Sequence, residues 1–101
     1  RYKGKTAHAA SCPQNGVNAL NSVIQLFNGI DALRQHVTPD VRMHGIIVKG
    51  GVAANIVPDE AVAQFYFRAA TKETLDDILE KVKRIAEGAA LMTGATLEME
   101  R

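Results

Sequence analysis

Apolar residues recur along this chain with two different periods, and the switches between them divide it into six elements. Tyr2 to Ala9 (YKGKTAHA) alternates weakly, with Tyr2, Gly4, Thr6 and His8 on one side and Lys3, Lys5, Ala7 and Ala9 on the other, which predicts a first strand. Ser11, Pro13, Asn15 and Gly16 then break the pattern, and Val17, Leu20, Ile24, Phe27 and Ile30 return at steps of three and four, one face of a helix. Gly29 weakens that helix by about 1 kcal/mol relative to alanine and leaves a kink or frayed turn open there. Leu33 prolongs the stripe and Pro39 closes the element, because the residue before a proline is biased away from helical geometry.

Val41 to Val48 (VRMHGIIV) is β-branched and apolar, and predicts a second strand that ends at the Gly50-Gly51 turn. Asn55 to Pro58 reads as irregular, since Pro58 cannot donate to a ladder and belongs just ahead of a third strand from about Glu60 to Ala70. There Ala61, Ala63, Phe65, Phe67 and Ala69 share one face, and Gln64, Tyr66 and Arg68 the other. Thr71 is the predicted N-cap of a second helix, with Glu73, Asp76 and Asp77 in its first turns, where acidic groups suit the positive end of the dipole. Leu75, Ile78, Leu79, Val82, Ile85, Ala86 and Ala89 form its apolar stripe. Gly94 terminates it, and Ala95, Leu97 and Met99 alternate with polar neighbours in a fourth strand.

The order β-α-β-β-α-β predicts an α+β, ferredoxin-like sandwich: a four-stranded antiparallel sheet in the order 4-1-3-2, with two helices on one face. Strands one and four are then neighbours, so Arg1 and Arg101 come close together, as expected of a module inserted in a larger chain. The other face is left uncovered and carries Gln64, Tyr66 and Arg68. The second strand is an outer edge with little charge and no proline, whose free backbone groups can template pairing with a second copy.

Composition narrows the functional classes. A chain of 101 residues, 47% apolar, can bury one core, which predicts a single domain. A net charge of +1 offers no footprint for nucleic acid or an anionic membrane. No stretch approaches the roughly 20 apolar residues of a membrane span, and Arg1 opens the sequence without a signal-like segment. The single Cys12 excludes an internal disulfide and a multi-cysteine metal site. A cytoplasmic location is the expectation.

The polar candidates for a site are His8, Asn55 and Arg68, with Tyr66, His36 and His44 behind them. Each has a plainer explanation: a lone histidine is more often structural, an asparagine near Pro58 is by default a turn residue, and an arginine on a strand can simply cover the sheet with its stem. The three histidines have neither His-Glu-x-x-His spacing nor Cys-x-x-Cys support, so no metal is expected to be held by this chain alone. Gly50-Gly51 is not a phosphate loop, and no nucleophile elbow is present. Asp59 and Glu60 are adjacent on an extended segment and point to opposite faces, which argues against a catalytic dyad.

Three segments taken together resemble the lid, or dimerisation, domain of the M20 family of metallopeptidases and aminoacylases: GKTAHAA with P and GVNAL at Gly4 to Leu20, HGIIVKGGVAANIVPDEA at His44 to Ala61, and QFYFRAAT at Gln64 to Thr71. These motifs are most similar to the amidohydrolase branch that includes p-aminobenzoyl-glutamate hydrolases and aminoacylase-1-like dipeptidases. The resemblance implies that residues 1–101 are one lid and dimerisation domain of a larger hydrolase. It also implies a separate catalytic domain that holds two divalent metals, usually zinc, and that the 101 residues alone are inactive. By motif, His8 corresponds to the lid histidine that stabilises the developing oxyanion, often in the opposite subunit's site. Asn55 corresponds to a substrate-contacting asparagine and Arg68 to the arginine that pairs with a substrate carboxylate. The implied partners are a second copy, through the Val41–Val48 edge and the first helix, the catalytic domain of the same parent chain, and a small amide or dipeptide substrate. The competing reading is a non-catalytic ferredoxin-like module that oligomerises or binds a regulatory ligand through the same edge and open face.

Overall fold

A computed structural model describes residues 1–101. The elements are β1 (Tyr2–Lys3), α1 (Ala19–Leu33), β2 (Arg42–Lys49), β3 (Glu60–Arg68), α2 (Lys72–Thr93) and β4 (Thr96–Leu97), with 3-10 turns at Pro13–Asn15 and Arg34–His36. All strand pairs are antiparallel and the sheet order is β2-β3-β1-β4, the ferredoxin-like arrangement read from the sequence. Both helices cover one face. Tyr2, Met43 and Ala61 from the strands meet Val23, Leu26 and Ile30 of α1 and Ile78, Val82 and Ala86 of α2 in a single core. The Tyr2 hydroxyl is buried and donates to the Ala86 carbonyl at 2.8 Å, tying β1 to the middle of α2.

The helix ends follow local chemistry. Thr71 caps α2 by accepting from the Thr74 amide at 3.1 Å, and Gly94 closes it in the left-handed region at φ 83°, its amide donating to the Ala90 carbonyl. The cap of α1 is Asn18, which accepts from Asn21 N at 3.0 Å, so that helix begins after Val17 rather than at it. At its other end α1 stops at Leu33, ahead of Pro39, and tightens into a turn of exposed Arg34, Gln35 and His36 that returns Val37 to the core. The helix runs unbroken through Gly29. A Cβ there would lie 2.4 Å from Cγ2 of Ile85, so this glycine lets α1 and α2 approach closely rather than kinking the chain.

The first and fourth strands are shorter than their alternation predicts. Tyr2 and Lys3 pair with Ala61 and Glu60 and Gly4 N donates to Asp59 O, but a Cβ on Gly4 would sit 2.1 Å from the Val17 carbonyl oxygen, and at this close approach the regular ladder ends. Lys5 exchanges both backbone hydrogen bonds with Val17, while Gly4, Ala7, His8 and Ala9 stay beside the segment ahead of β3 through Asp59, Val57, Ile56 and Asn55, so Gly4 to Ala9 runs irregularly between that segment and the α1 entrance. With β1 this short, β4 pairs only at Thr96 and Leu97. The long β2–β3 hairpin carries the sheet instead, in a register that sets Met43 opposite Phe67, Gly45 opposite Phe65 and Ile47 opposite Ala63 on the helix face. The Phe65 ring crosses Gly45 and lies 4.8 Å from the Phe27 ring centroid. Gly45→Ala puts a methyl 2.4 to 2.6 Å from three atoms of that ring. The expected outcome is a loss of about 1 to 3 kcal/mol, seen as a lower denaturant midpoint at unchanged slope.

Candidate functional site

His8 and Asn55 lie on two loops that the backbone stitches together. Val57 N donates to Ala7 O at 2.9 Å and Ala9 N donates to Asn55 O at 3.0 Å, on either side of the His8–Ile56 bridge. Val57 is buried and anchors this pair of loops near Gly16, while Pro58 O accepts from Ala19 N at 2.9 Å and ties them to the start of α1. The side chains of His8 and Asn55 are exposed at this end of the domain. Two residues far apart in sequence are thus held side by side by a packed valine and three backbone hydrogen bonds.

The imidazole has a defined orientation. Its Nδ1 accepts from the backbone amides of Ala10 at 3.2 Å and Ser11 at 3.1 Å, and the His8 carbonyl accepts from Cys12 N at 3.1 Å. With Nδ1 engaged as an acceptor, the ring proton of the neutral imidazole is on Nε2, so the ring presents an N–H donor at its outer edge. The alternation that placed His8 on a strand missed this tight turn; the His-Ala-Ala-Ser run was its only local signal.

Arg68 is elsewhere. It is the last residue of β3, and His8 and Asn55 flank the residues that lead into the first. Eight strand steps separate Glu60 from Arg68, about 27 Å. Within one chain the carboxylate-binding candidate and the histidine–asparagine pair therefore do not form one pocket for a dipeptide, which spans about 7 Å. Arg68 lies on the uncovered face with Gln64 and Tyr66, as its alternation predicts, and Tyr66 is 61% exposed.

The β2–β3 register adds neighbours that residue spacing alone does not bring together. Arg42 lies directly opposite Arg68, and His44 opposite Tyr66, on the same open face. Like charges directly opposite on a sheet are unfavourable. Here Nη1 of Arg42 donates to the carbonyls of Pro39 and Val41, which draws its head toward the β2 edge. Just past Arg68, the Asp40 carboxylate accepts from Ala70 N at 2.8 Å and fixes the turn into α2. Hydrogen bonds from the Thr38 side chain and that amide hold the Asp40 carboxyl below the usual carboxylate range. His36 lies in the exposed turn after α1 and makes no hydrogen bond or ion pair with these groups.

At the β1 end, Glu60 is engaged by Lys49 at 2.7 Å and Arg1 at 3.6 Å, and the Asp59 carbonyl accepts from Gly4 N. No group of three or more His, Cys, Asp or Glu side chains is placed to hold a metal ion. The two divalent metals that the family resemblance implies have no ligand set among these residues. No helix is long and apolar enough to cross a membrane.

The β2 edge and the adjoining helix expose a run of apolar side chains. Ile46, Ile47 and Val48 are 61%, 47% and 57% exposed, and Ile24 on α1 is 42% exposed. Unpaired backbone and apolar side chains on one edge are features of a surface that pairs with another strand.

The family model described as the peptidase dimerisation domain, that of the M20 peptidases, matches residues 1–92. Xaa-Arg dipeptidase of Mus musculus is 40% identical over 100 residues, covering 99% of this chain and 23% of that protein. A p-aminobenzoyl-glutamate hydrolase polypeptide of Escherichia coli (strain K12) is 38% identical over 99 residues, covering 97% of this chain and 21% of that protein. The chain thus spans less than a quarter of the length of these curated relatives. Among solved structures, an aminobenzoyl-glutamate utilization protein from Klebsiella pneumoniae superposes with a TM-score of 0.82 at 26% identity, covering 96% of this chain and 25% of that one. The relatives named as enzymes are hydrolases, and this chain belongs to the dimerisation-domain family of the M20 peptidases and amidohydrolases.

Proposed function

We propose that this chain is the lid and dimerisation domain of a larger di-metal amidohydrolase that cleaves the amide bond of small N-acyl amino acids or dipeptides. Its catalytic domain, with two divalent metals, zinc by family resemblance, lies in the same parent chain outside these 101 residues. The metals supply the activated water, and the domain described here supplies donors. His8 presents Nε2–H to the oxygen that becomes negative in the tetrahedral intermediate. Asn55 contacts the bound substrate, and Arg68 grips its carboxylate through a two-pronged guanidinium fork. The isolated domain has donors but no nucleophile, and is inactive. Its expected location is the cytoplasm.

The observation that carries this reading is the separation of Arg68 from His8 and Asn55 along β3, with an unpaired edge beside it. Two copies paired antiparallel through β2 about a two-fold axis set the Arg42 end of one edge against the Lys49 end of the other. The end of β3 that bears Arg68 then approaches the end of the partner's β3 that bears His8 and Asn55. Three strand spacings separate the two β3 strands across that edge, about 14 Å, a gap that a bound dipeptide of about 7 Å together with the extended Arg68 side chain can bridge. The exposed Ile24 and Ile47 on the helix side become buried in the same contact. One active site is thus built from Arg68 of one subunit and the histidine–asparagine pair of the other.

Subunit mixing tests this. His8→Ala and Arg68→Ala full-length enzymes, each nearly inactive, are exchanged into mixed dimers. In the shared-site arrangement a mixed dimer has one site with both groups intact and one with neither, so random exchange restores about a quarter of the wild-type rate. If both groups serve a site within one chain, every site has a defect and mixing restores nothing.

A further inference from the structure

Most of β3 is paired on one side only. Val62 to Arg68 pair with β2, but on the other side β1 reaches only Glu60 and Ala61. Beyond that point, the segment after β4 lies where the far wall of a slot would be. Glu98 N donates to Arg1 O and the Arg1 amino group donates to Glu98 O, both at 2.9 Å, and Arg101 lies 3.8 Å from Asp76 at the start of α2. Between the two walls is a groove lined by Ala63, Phe65, Phe67, Val82, Leu97 and Met99. Val82 of α2 forms the floor, and the others are helix-face residues of the two flanking segments, left half-buried or exposed in the middle of a sheet.

We propose that this slot seats one more length of strand, supplied by the residues that immediately precede Arg1 in the parent chain and continuous with β1. The inference rests on the reading of this chain as one domain of a longer protein, which the share of its relatives that it spans supports. The occupant is set by direction and register. Tyr2 lies opposite Ala61 on one side and Leu97 on the other. Counting backwards, the residue directly before Arg1 sits between Ala63 and Met99, the third residue before Arg1 faces Phe65, and the fifth faces Phe67. Those three positions point toward the helices and take apolar side chains, while the intervening ones join the open face beside Gln64 and Tyr66. A second copy would have to enter in this same direction and then clear Arg1, whereas the covalent neighbour is already aligned.

This strand gives the domain's sheet a function as a connector. It runs toward the Arg68 end of β3, beside the outgoing segment after β4, so the two chain crossings to the rest of the protein form an antiparallel ribbon at that end. Arg68 is then rigidly linked to its own chain's remaining domain. The His8–Asn55 loops lie at the far end of the sheet, free to reach another subunit.

The test uses the full-length parent with Cys12→Ser. A cysteine at the position directly before Arg1 combined with Ala63→Cys sets two thiols directly opposite, at about 5 Å between Cα atoms, within disulfide range. That pair is expected to oxidise, and the pair shifted by one residue, with Gln64→Cys, is not. In hydrogen exchange of the parent, the amides between Val62 and Arg68 that point away from β2 are expected to exchange about 100-fold or more slowly than solvent-exposed amides such as those of the loop at residues 50–54. Fast exchange at the β3 amides overturns the proposal. So does protection without the in-register disulfide, which would place a different segment or a second copy in the slot. Neither readout depends on catalysis, so an inactive parent with an intact disulfide would count against the hydrolase reading alone.

Discussion

His8→Ala in the full-length enzyme lowers kcat by about 10² to 10³ fold, the effect of removing one oxyanion donor, with metal content and dimer mass unchanged. The loss falls mainly on kcat, because the hydrogen bond strengthens as charge develops on the substrate oxygen in the transition state. A competing structural role has to be separated from this one, since Nδ1 also braces the loop through the Ala10 and Ser11 amides. His8→Asn makes that separation. Its side-chain oxygen can accept from amides two and three residues on, as asparagine does in turns, but it places no donor where Nε2–H stood. Equal inactivity of the alanine and asparagine variants assigns the loss to the missing donor. Recovery in the asparagine variant would show that His8 only holds the loop, and wild-type turnover in the alanine variant would dismiss it altogether.

Arg68→Lys lowers kcat/KM for substrates with a free carboxylate by about 10 to 100 fold, since a lysine keeps the charge but not the two parallel donors of the guanidinium. The same substrates with that carboxylate converted to an amide lose little, because they never engaged the fork. The measurement is the ratio of kcat/KM between acid and amide, in wild type and variant. A collapse of that ratio toward one supports the assignment. An equal loss on both substrates would reduce Arg68 to a residue that covers the sheet, as its exposed place on an open strand face also permits. Since Arg42 lies opposite and its Nη1 is turned to the Pro39 and Val41 carbonyls, it is not positioned to replace the fork by itself.

Much of the fold was legible because it rests on periodicity. The stripe from Leu75 to Ala89, the Thr71 cap and the Gly94 stop are local signals, and α2 follows them. The alternation of Ala61, Ala63, Phe65 and Phe67 with Gln64, Tyr66 and Arg68 identified which face of β3 would be covered. The failures are equally physical. Tyr2 to Ala9 alternates like a strand, but Gly4 packs so closely on Val17 that the chain after Lys3 is shared between Val17 and the loop ahead of β3, and the regular ladder is lost. Gly29 reads as a weak point by propensity alone, whereas Ile85 on the neighbouring helix is what makes a glycine necessary there.

The sequence by itself determined the six elements, the uncovered polar face, the exposed β2 edge and the family, because each is written in residue type at short spacing. Only the tertiary structure decided which candidates stand together. Asn55 is 13 residues from Arg68 and 47 from His8 in the chain. Yet a bridge between two loops sets Asn55 beside His8, and the length of β3 carries Arg68 to the opposite end. Proximity in a sheet is a matter of pairing and strand rise, neither of which spacing along the chain encodes.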